Sequence, residues 1–479
     1  MIRQIPGVSL MGLTLLLSTP AHAGTITGPA DLGTAVSAQI ACAGIFVTGR
    51  AEADVLRDDV HALAPFTKAI TLSVDRKDRT VTASAPGATQ RTALYRPAAG
   101  CTLLTATVRR DVLERQTARM KPMKMRSSGT WPLGDAPPKD TGPKIDKAAL
   151  EKAVNDAFVE QNKGGYPDTR AIVIVHGGRI VAEHYAPGFD RNSRLLGWSA
   201  SKSIAATLVG LLVDDGVLEL DAPAPVPEWQ AEGDPRRQIT LRQLLTMSSG
   251  LRFVESYEPG NDSIRMLFSA SDMGALAASL PLDKAPGTAW SYSSGTTNIL
   301  SAIVTRAAGG SLEDVTRFAR KRLFEPAGMT SIVIEPDEAG VPVGSSYAYA
   351  TARDWARFGL LYLNNGMAAK KRLLSQNWVD FVRTPTAAAP RSLYGGQFWL
   401  NRGEDTGEKR RIFRDLPDDT FMAMGHNHQI VAVIPSRDAV IVRLGWTPEG
   451  QTFDFNKYLS RIVAALEPAT NADGARHAR

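Results

Sequence analysis

Cysteine is nearly absent from this chain: Cys42 and Cys101 are the two present among 479 residues. Histidine is scarce as well, at seven. His426 and His428 have the spacing to share a metal from one side of a strand. They lack a third ligand, because His176 and His184 fall on a different hairpin, so no metal site is predicted. Charge of one sign is also missing. The 55 Lys and Arg against 49 Asp and Glu leave a net +6, without the dense basic face that nucleic acid demands. Beyond residue 23 no run is long and apolar enough to anchor the chain in a bilayer, and no internal repeat is visible. What is present is globular material, 43% hydrophobic and 22% charged, in a chain long enough for two or three domains.

Residues 1–23 carry Arg3, an apolar stretch from Val8 to Leu17, and Ala21-His22-Ala23, the pattern of a signal peptide cut before Gly24. Export to the periplasm or beyond is therefore expected. In that setting Cys42 and Cys101 are expected to pair, with two buried thiols as the alternative. Residues 24–130 read as a small α+β module. Within it Ile40 to Val47 looks strand-like, Ala53 to Leu63 helical, and Ile70 to Ala83 a hairpin turning at Asp75-Arg76-Lys77-Asp78; Leu94 to Val108 offers further strand. Seven basic residues from Arg109 to Arg126 predict a solvated, partly helical connector, with contact to an anionic envelope surface as the second reading.

A Pro-rich linker covers 131–145. The main domain spans 146–467, and 468–479 is a polar tail. Asp146, Thr240 and Thr351 are placed to cap helices. Strands are expected at Ala171 to Val175, Ile180 to Glu183, Gln397 to Leu400, Gln429 to Ile434 and Ala439 to Leu444, and a closing helix at Phe453 to Leu466. Strands from both ends with helices between predict one antiparallel sheet flanked by a helical lobe, an α+β or α/β arrangement.

The chemistry centres on Gly197-Trp198-Ser199-Ala200-Ser201-Lys202-Ser203, which runs into the apolar stretch Ile204 to Leu212. Three residues make nearly one helical turn, so Ser199 and Lys202 point the same way. A lysine at the mouth of a buried helix is partly desolvated, which favours the neutral amine. Such an amine can take the proton of the neighbouring hydroxyl, and the helix N-terminus favours negative charge on the oxygen. The plainer reading makes Ser199 a helix cap and sends Lys202 to solvent. Two later stretches weigh against it. Trp290-Ser291-Tyr292-Ser293-Ser294-Gly295 can aim a phenol into a cleft. Ala423-Met424-Gly425-His426 ends in a glycine that permits close backbone approach at a strand edge.

In this order the three stretches resemble the serine β-lactamase and penicillin-binding-protein superfamily, and within it the class C-like branch of esterases and 6-aminohexanoate-dimer hydrolases. The family pattern of Ser-x-x-Lys, then Tyr-x-Asn or Tyr-Ser-x, then a Lys-Thr-Gly-type strand matches Ser199/Lys202, Tyr292 with Ser294, and Ala423-Met424-Gly425. Stretches 244–251 and 350–359 add to the likeness, which covers about residues 165 to 465. It implies a β-lactamase/transpeptidase-like domain in which Ser199 becomes acylated, Lys202 and Tyr292 share its proton, and the backbone N–H groups of Ser199 and His426 hold the oxyanion. By likeness to the nylon-oligomer branch, Glu255, Tyr257, Asp262 and Trp399 line the substrate pocket with Ser294 and Gly425. Asp262 is equally placed to cap a helix, and Trp399 to sit in the core. No cofactor is called for, and the partner is a small ester or amide.

Two departures bear on the substrate. Ala-Met-Gly replaces Lys-Thr-Gly, which removes the cation that meets a substrate carboxylate. Tyr-Ser-Ser replaces Tyr-x-Asn, which removes an amide that contacts an acylamino group. An ester or linear amide is therefore expected ahead of a β-lactam or a D-Ala-D-Ala peptide. A catalytically silent binding module on the same fold is the non-enzyme alternative. Asp140-Thr141-Gly142 and Asp405-Thr406-Gly407 mimic an aspartic-protease pair, but their charged and Pro flanks read as exposed turns. Gly197 to Ser201 lacks the last glycine of an α/β-hydrolase elbow.

Overall fold

A computed structural model describes residues 28–105, 107–139, 142–159, 168–404, 410–447 and 453–466, together with Ile26 and Gly407. The expected signal peptide, the tail, and Asp140 and Asp405 lie outside the described residues.

Helix α1, Pro29–Cys42, has proline in its first turn, where a missing N–H costs nothing. It continues as a wider helical turn through Ala43–Val47. The strand expected at Ile40 to Val47 is thus overturned. The segment is buried on nearly every side, so its apolar run carries no period that separates strand from helix. Ala35, Ala38, Ala41 and Ala43 supply the helix propensity. Contrary to the expectation that no run beyond residue 23 is apolar enough to span a bilayer, Pro29–Val47 passes that test by length and composition, but 83% of its most apolar window is buried inside the protein. It is a core helix.

Against α1 lies a four-stranded antiparallel sheet in sequence order: β1 (Thr71–Asp75), β2 (Thr80–Ser84), β3 (Arg91–Arg96) and β4 (Gly100–Leu103). The hairpin expected around Asp75 to Asp78 is β1–β2. A disulfide joins Cys42 on α1 to Cys101 on β4 across a separation of 59 residues. Closing a loop of that length stabilises by about 4 kcal/mol in the chain-entropy model. Replacing both cysteines by alanine should lower the urea unfolding free energy by about that amount; a loss under roughly 1 kcal/mol would contradict a structural role.

The connector folds in part as α2, Arg110–Thr117. Its charge is mostly matched: Arg109 and Arg115 meet Asp111, Arg110 meets Glu114, and Arg119 reaches Glu313. Buried polar bonds tie the amino-terminal segment to the rest of the chain. Glu335 accepts from the Cys101 N–H and the Gln39 amide, both at 2.7 Å. Burial pushes the Glu335 carboxyl up to about 8, so it stays largely protonated at neutral pH. Arg170 pairs with Asp59 at 2.5 Å.

The large sheet has six antiparallel strands. These are β5 (Thr169–His176), β6 (Arg179–Tyr185), β7 (Trp399–Leu400), β8 (Phe421–Gly425), β9 (Gln429–Ile434) and β10 (Ala439–Gly445), in the order β7-β8-β9-β10-β5-β6. Strands distant in sequence meet at β10–β5, as the pattern of strands at both ends predicts. The strand expected from Gln397 begins two residues later, because Gln397 takes a left-handed φ of 63°. Alternate residues divide the core. Ile172, Ile174, Ile430 and Ile441 pack under α3 (Lys147–Asp156), while Val173, Val175, Val431 and Val442 join the core on the other face. That second face carries the helical lobe, including α4 (Ser201–Asp214), α5 (Ser294–Ala307), α6 (Leu312–Ala319) and α7 (Ala352–Leu363). The closing helix α8, Phe455–Ala465, packs on α3. Asp146, Thr240 and Thr351 each accept a backbone N–H at a helix start, as their sequence context predicts.

Candidate active site

Buried α4 is entered through a tight turn, Trp198–Ala200. Trp198 adopts φ 46°, a left-handed conformation that costs a bulky residue about 1–3 kcal/mol and persists only when its surroundings impose it. Those surroundings are visible. The Trp198 ring stands edge-on to His426 at 5.7 Å and 6.0 Å from Trp446, and any side chain at Gly197 would run into the Trp355 ring. The strained turn leaves Ser199 half-buried at the helix mouth. Ser199 is not a cap, since the cap position is Ala200 and no side-chain cap bond is made.

Lys202 does not reach solvent. Its ammonium donates to Ser199 Oγ at 3.0 Å, Ser294 Oγ at 2.9 Å and the Ser345 carbonyl at 3.0 Å. Burial lowers its pKa to about 8 against an opposing pull from Glu255. Tyr292 lies over the same group, with Lys202 Nζ 4.9 Å from its ring centroid. Burial and the Glu255 charge push the Tyr292 phenol well above its usual range, while hydrogen bonds with Ser199 and Trp399 oppose that shift. Ser199, Lys202 and Tyr292 therefore share one crevice.

The residues expected to line a pocket divide into two groups. Glu255 accepts the Ser294 N–H at 2.7 Å and the Ser294 hydroxyl at 2.6 Å, which makes a chain Glu255–Ser294–Lys202–Ser199. Asp262 begins the helix Asp262–Ser269, and its Oδ2 accepts the Val254 N–H at 2.9 Å. It thereby fixes the loop that carries Glu255. Tyr257 and Trp399 face the crevice differently. Tyr257 is 44% exposed and its ring lies 4.7 Å from His426. The Trp399 ring lies tilted 5.3 Å from Tyr292, within an aromatic wall completed by Trp290 and Tyr394. Of the wall, Trp399 is placed by sequence reasoning; Tyr394 and the Ser345 carbonyl are missed, and Trp290, two residues before Tyr292, is a sequence signal left unused.

Gly425 ends β8 against the nucleophile turn. A Cβ there would overlap the Gly197 carbonyl oxygen and sit 3.0 Å from Ser199 N. The strand end and the Ser199 N–H thus face each other, with His426 next in the chain. Among the described residues no group of three or more His, Cys, Asp and Glu is placed to hold a metal.

The chain is similar to known proteins. A 6-aminohexanoate-dimer hydrolase from Paenarthrobacter ureafaciens is 27% identical over 329 residues, covering 64% of this chain and 79% of that protein. Esterase EstB from Burkholderia gladioli is 32% identical over 162 residues, 30% of this chain and 40% of its own length. The solved structure of a penicillin-binding-protein homologue from Caulobacter crescentus superposes with a TM-score of 0.51 at 18% identity, covering 68% of this chain and 98% of that one. That match shows a shared fold. The family model described as Beta-lactamase spans residues 156–465, more than half of the sequence, and the chain belongs to the beta-lactamase family.

Proposed function

We propose that the protein is a serine hydrolase that cleaves a small ester or linear amide through an acyl-enzyme on Ser199. The observation that carries this reading is the buried Lys202 amine, held 3.0 Å from Ser199 Oγ with its pKa lowered to about 8. In its neutral form Lys202 accepts the Ser199 proton as Oγ attacks the carbonyl carbon. Tyr292 stays protonated at neutral pH, which makes Lys202 the first base and Tyr292 the group that relays a proton to the leaving alcohol or amine. The N–H groups of Ser199 and His426 receive the oxyanion. Water then hydrolyses the ester on Ser199, releasing the acid and restoring the hydroxyl.

The relatives named above include a 6-aminohexanoate-dimer hydrolase and an esterase, and the site supports an ester- or amide-cleaving class. Ala423 and Met424 stand where a cation would greet a substrate carboxylate, and the aromatic wall of Trp290, Trp399 and Tyr394 suits an apolar group. The disulfide between Cys42 and Cys101 and the leader-like first 23 residues support an exported enzyme. A panel of p-nitrophenyl esters, 6-aminohexanoate dimer, nitrocefin and a D-Ala-D-Ala peptide tests the class. Turnover of an ester or the linear dimer is expected; turnover of nitrocefin or the peptide alone would overturn the substrate assignment.

The pH profile has a definite sign. Below about 8 Lys202 is an ammonium and cannot accept a proton, so kcat/KM should rise with pH and level off above that value. Glu255 raises the Lys202 pKa, so Glu255→Gln should move this limb to lower pH. An unmoved limb in that variant would remove Glu255 from the account.

A further inference from the structure

A second cavity, of about 110 Å³, lies where the amino-terminal segment, the basic connector and the helical lobe meet. Its walls include Val315 and Ala319 of α6, Leu208 of α4, and Phe324, Ile332 and Ile334. None of Ser199, Lys202, Tyr292 or Glu255 lines it, and no acidic residue does. Three cations do: Lys121, Arg194 and Arg320.

Their partners differ. Arg320 is taken by Glu325 at 2.7 Å. Arg194 donates only to carbonyls, to Ser331 at 2.6 Å through Nε and to Val47 at 3.0 Å through Nη1. Among the described residues no carboxylate pairs with Arg194 or with Lys121. Burial lowers the Arg194 pKa, with the nearby Tyr95 phenol acting against the shift. The Asp354 carboxylate also acts against that shift, but it is bonded to Arg357 and Ser331 rather than to Arg194. A partly buried guanidinium with only carbonyl hydrogen-bond partners thus sits beside an apolar hollow, and a buried charge is costly until it is paired.

We propose that this cavity binds an alkyl monocarboxylate, its head on Arg194 and Lys121 and its tail among Leu208, Val315, Ile332 and Phe324. The space holds roughly seven to eleven water-sized spheres, which suits a chain of about six to eight carbons. Guanidinium and carboxylate match in charge and in fork geometry, and the apolar walls select against a small hydrophilic anion. The same chemistry is offered by a free fatty acid and by an anionic lipid at a membrane. Enclosure between segments of the chain favours the free acid. The inference does not depend on the hydrolase reading.

Titration calorimetry of the full chain with octanoate tests it, with octylammonium as a ligand of like tail and opposite head. Octanoate should bind and octylammonium should not. Lys121→Glu, on the exposed connector, should weaken octanoate binding at least tenfold, and Thr316→Trp, which fills the hollow from α6, should abolish it. A diazirine-bearing alkyl carboxylate should cross-link to peptides containing Tyr95, Met123 or Ile332. The proposal is overturned if octanoate fails to bind, if both variants bind it as the parent does, or if cross-links map to the Ser199 crevice. Adsorption to phosphatidylglycerol vesicles without binding of free octanoate also overturns it, since the basic surface then serves a membrane.

Discussion

Lys202→Ala should lower kcat/KM for a p-nitrophenyl ester by about 10²–10⁴, the usual contribution of a positioned general base. The reason lies in three hydrogen bonds and one desolvation. Lys202 is fixed by the Ser345 carbonyl and Ser294 Oγ, which holds its nitrogen within hydrogen-bond reach of Ser199 Oγ. Burial brings its pKa down to about 8, near working pH, where a base is most effective. Tyr292→Phe should cost at least about 2–3 kcal/mol of barrier, or roughly 30- to 150-fold, by removing the proton relay while keeping the ring. The two losses should not add, because the groups act on one proton path. The thermal midpoint separates this from a folding defect: Tyr292→Phe keeps the ring contacts with Trp399 and Tyr394 and should melt close to the parent. Near-normal turnover in either variant would contradict the role assigned to it.

Gly425→Ala should lower kcat by about 10²–10³ while leaving a folded protein, the range seen when an oxyanion donor is lost. The position is extended, so an alanine has no backbone conflict there. The conflict is with space. The added methyl would overlap the Gly197 carbonyl oxygen and press on Ser199 N at 3.0 Å and Trp198 Cβ at 3.1 Å. The strand end must then retreat, and the His426 N–H retreats with it. Overpacking of this kind costs about 1–3 kcal/mol of stability, well short of unfolding a domain of this size. Unchanged kcat in a folded Gly425→Ala protein would exclude an oxyanion role for this strand end.

What the sequence displays and what it hides divide along physical lines. Local chemistry is legible. Helix caps at Asp146, Thr240 and Thr351 act within three residues, the β1–β2 hairpin is set by its own turn, and Ser199 and Lys202 meet because one helical turn separates them. The meeting of strands from opposite ends in the large sheet is also legible, since all of them need apolar partners on both faces. Long-range pairing is not legible. Glu255 finds Ser294 across 39 residues and Lys202 finds the Ser345 carbonyl across 143, and no local pattern announces either contact. Ile40 to Val47 misleads for a different reason. A segment buried on all sides has no amphipathic period, and its β-branched residues mimic a strand. Glu335 shows the same limit in the amino-terminal segment, whose buried bond to Cys101 spans 234 residues.

The most direct measurement is peptide mapping by mass spectrometry after reaction with a fluorophosphonate. A single phosphonyl adduct on the peptide carrying Ser199 is expected, formed faster as pH rises through about 8 and absent from Ser199→Ala. No adduct on the folded protein, or an adduct on any other serine that persists in Ser199→Ala, would contradict acyl-enzyme chemistry at this site.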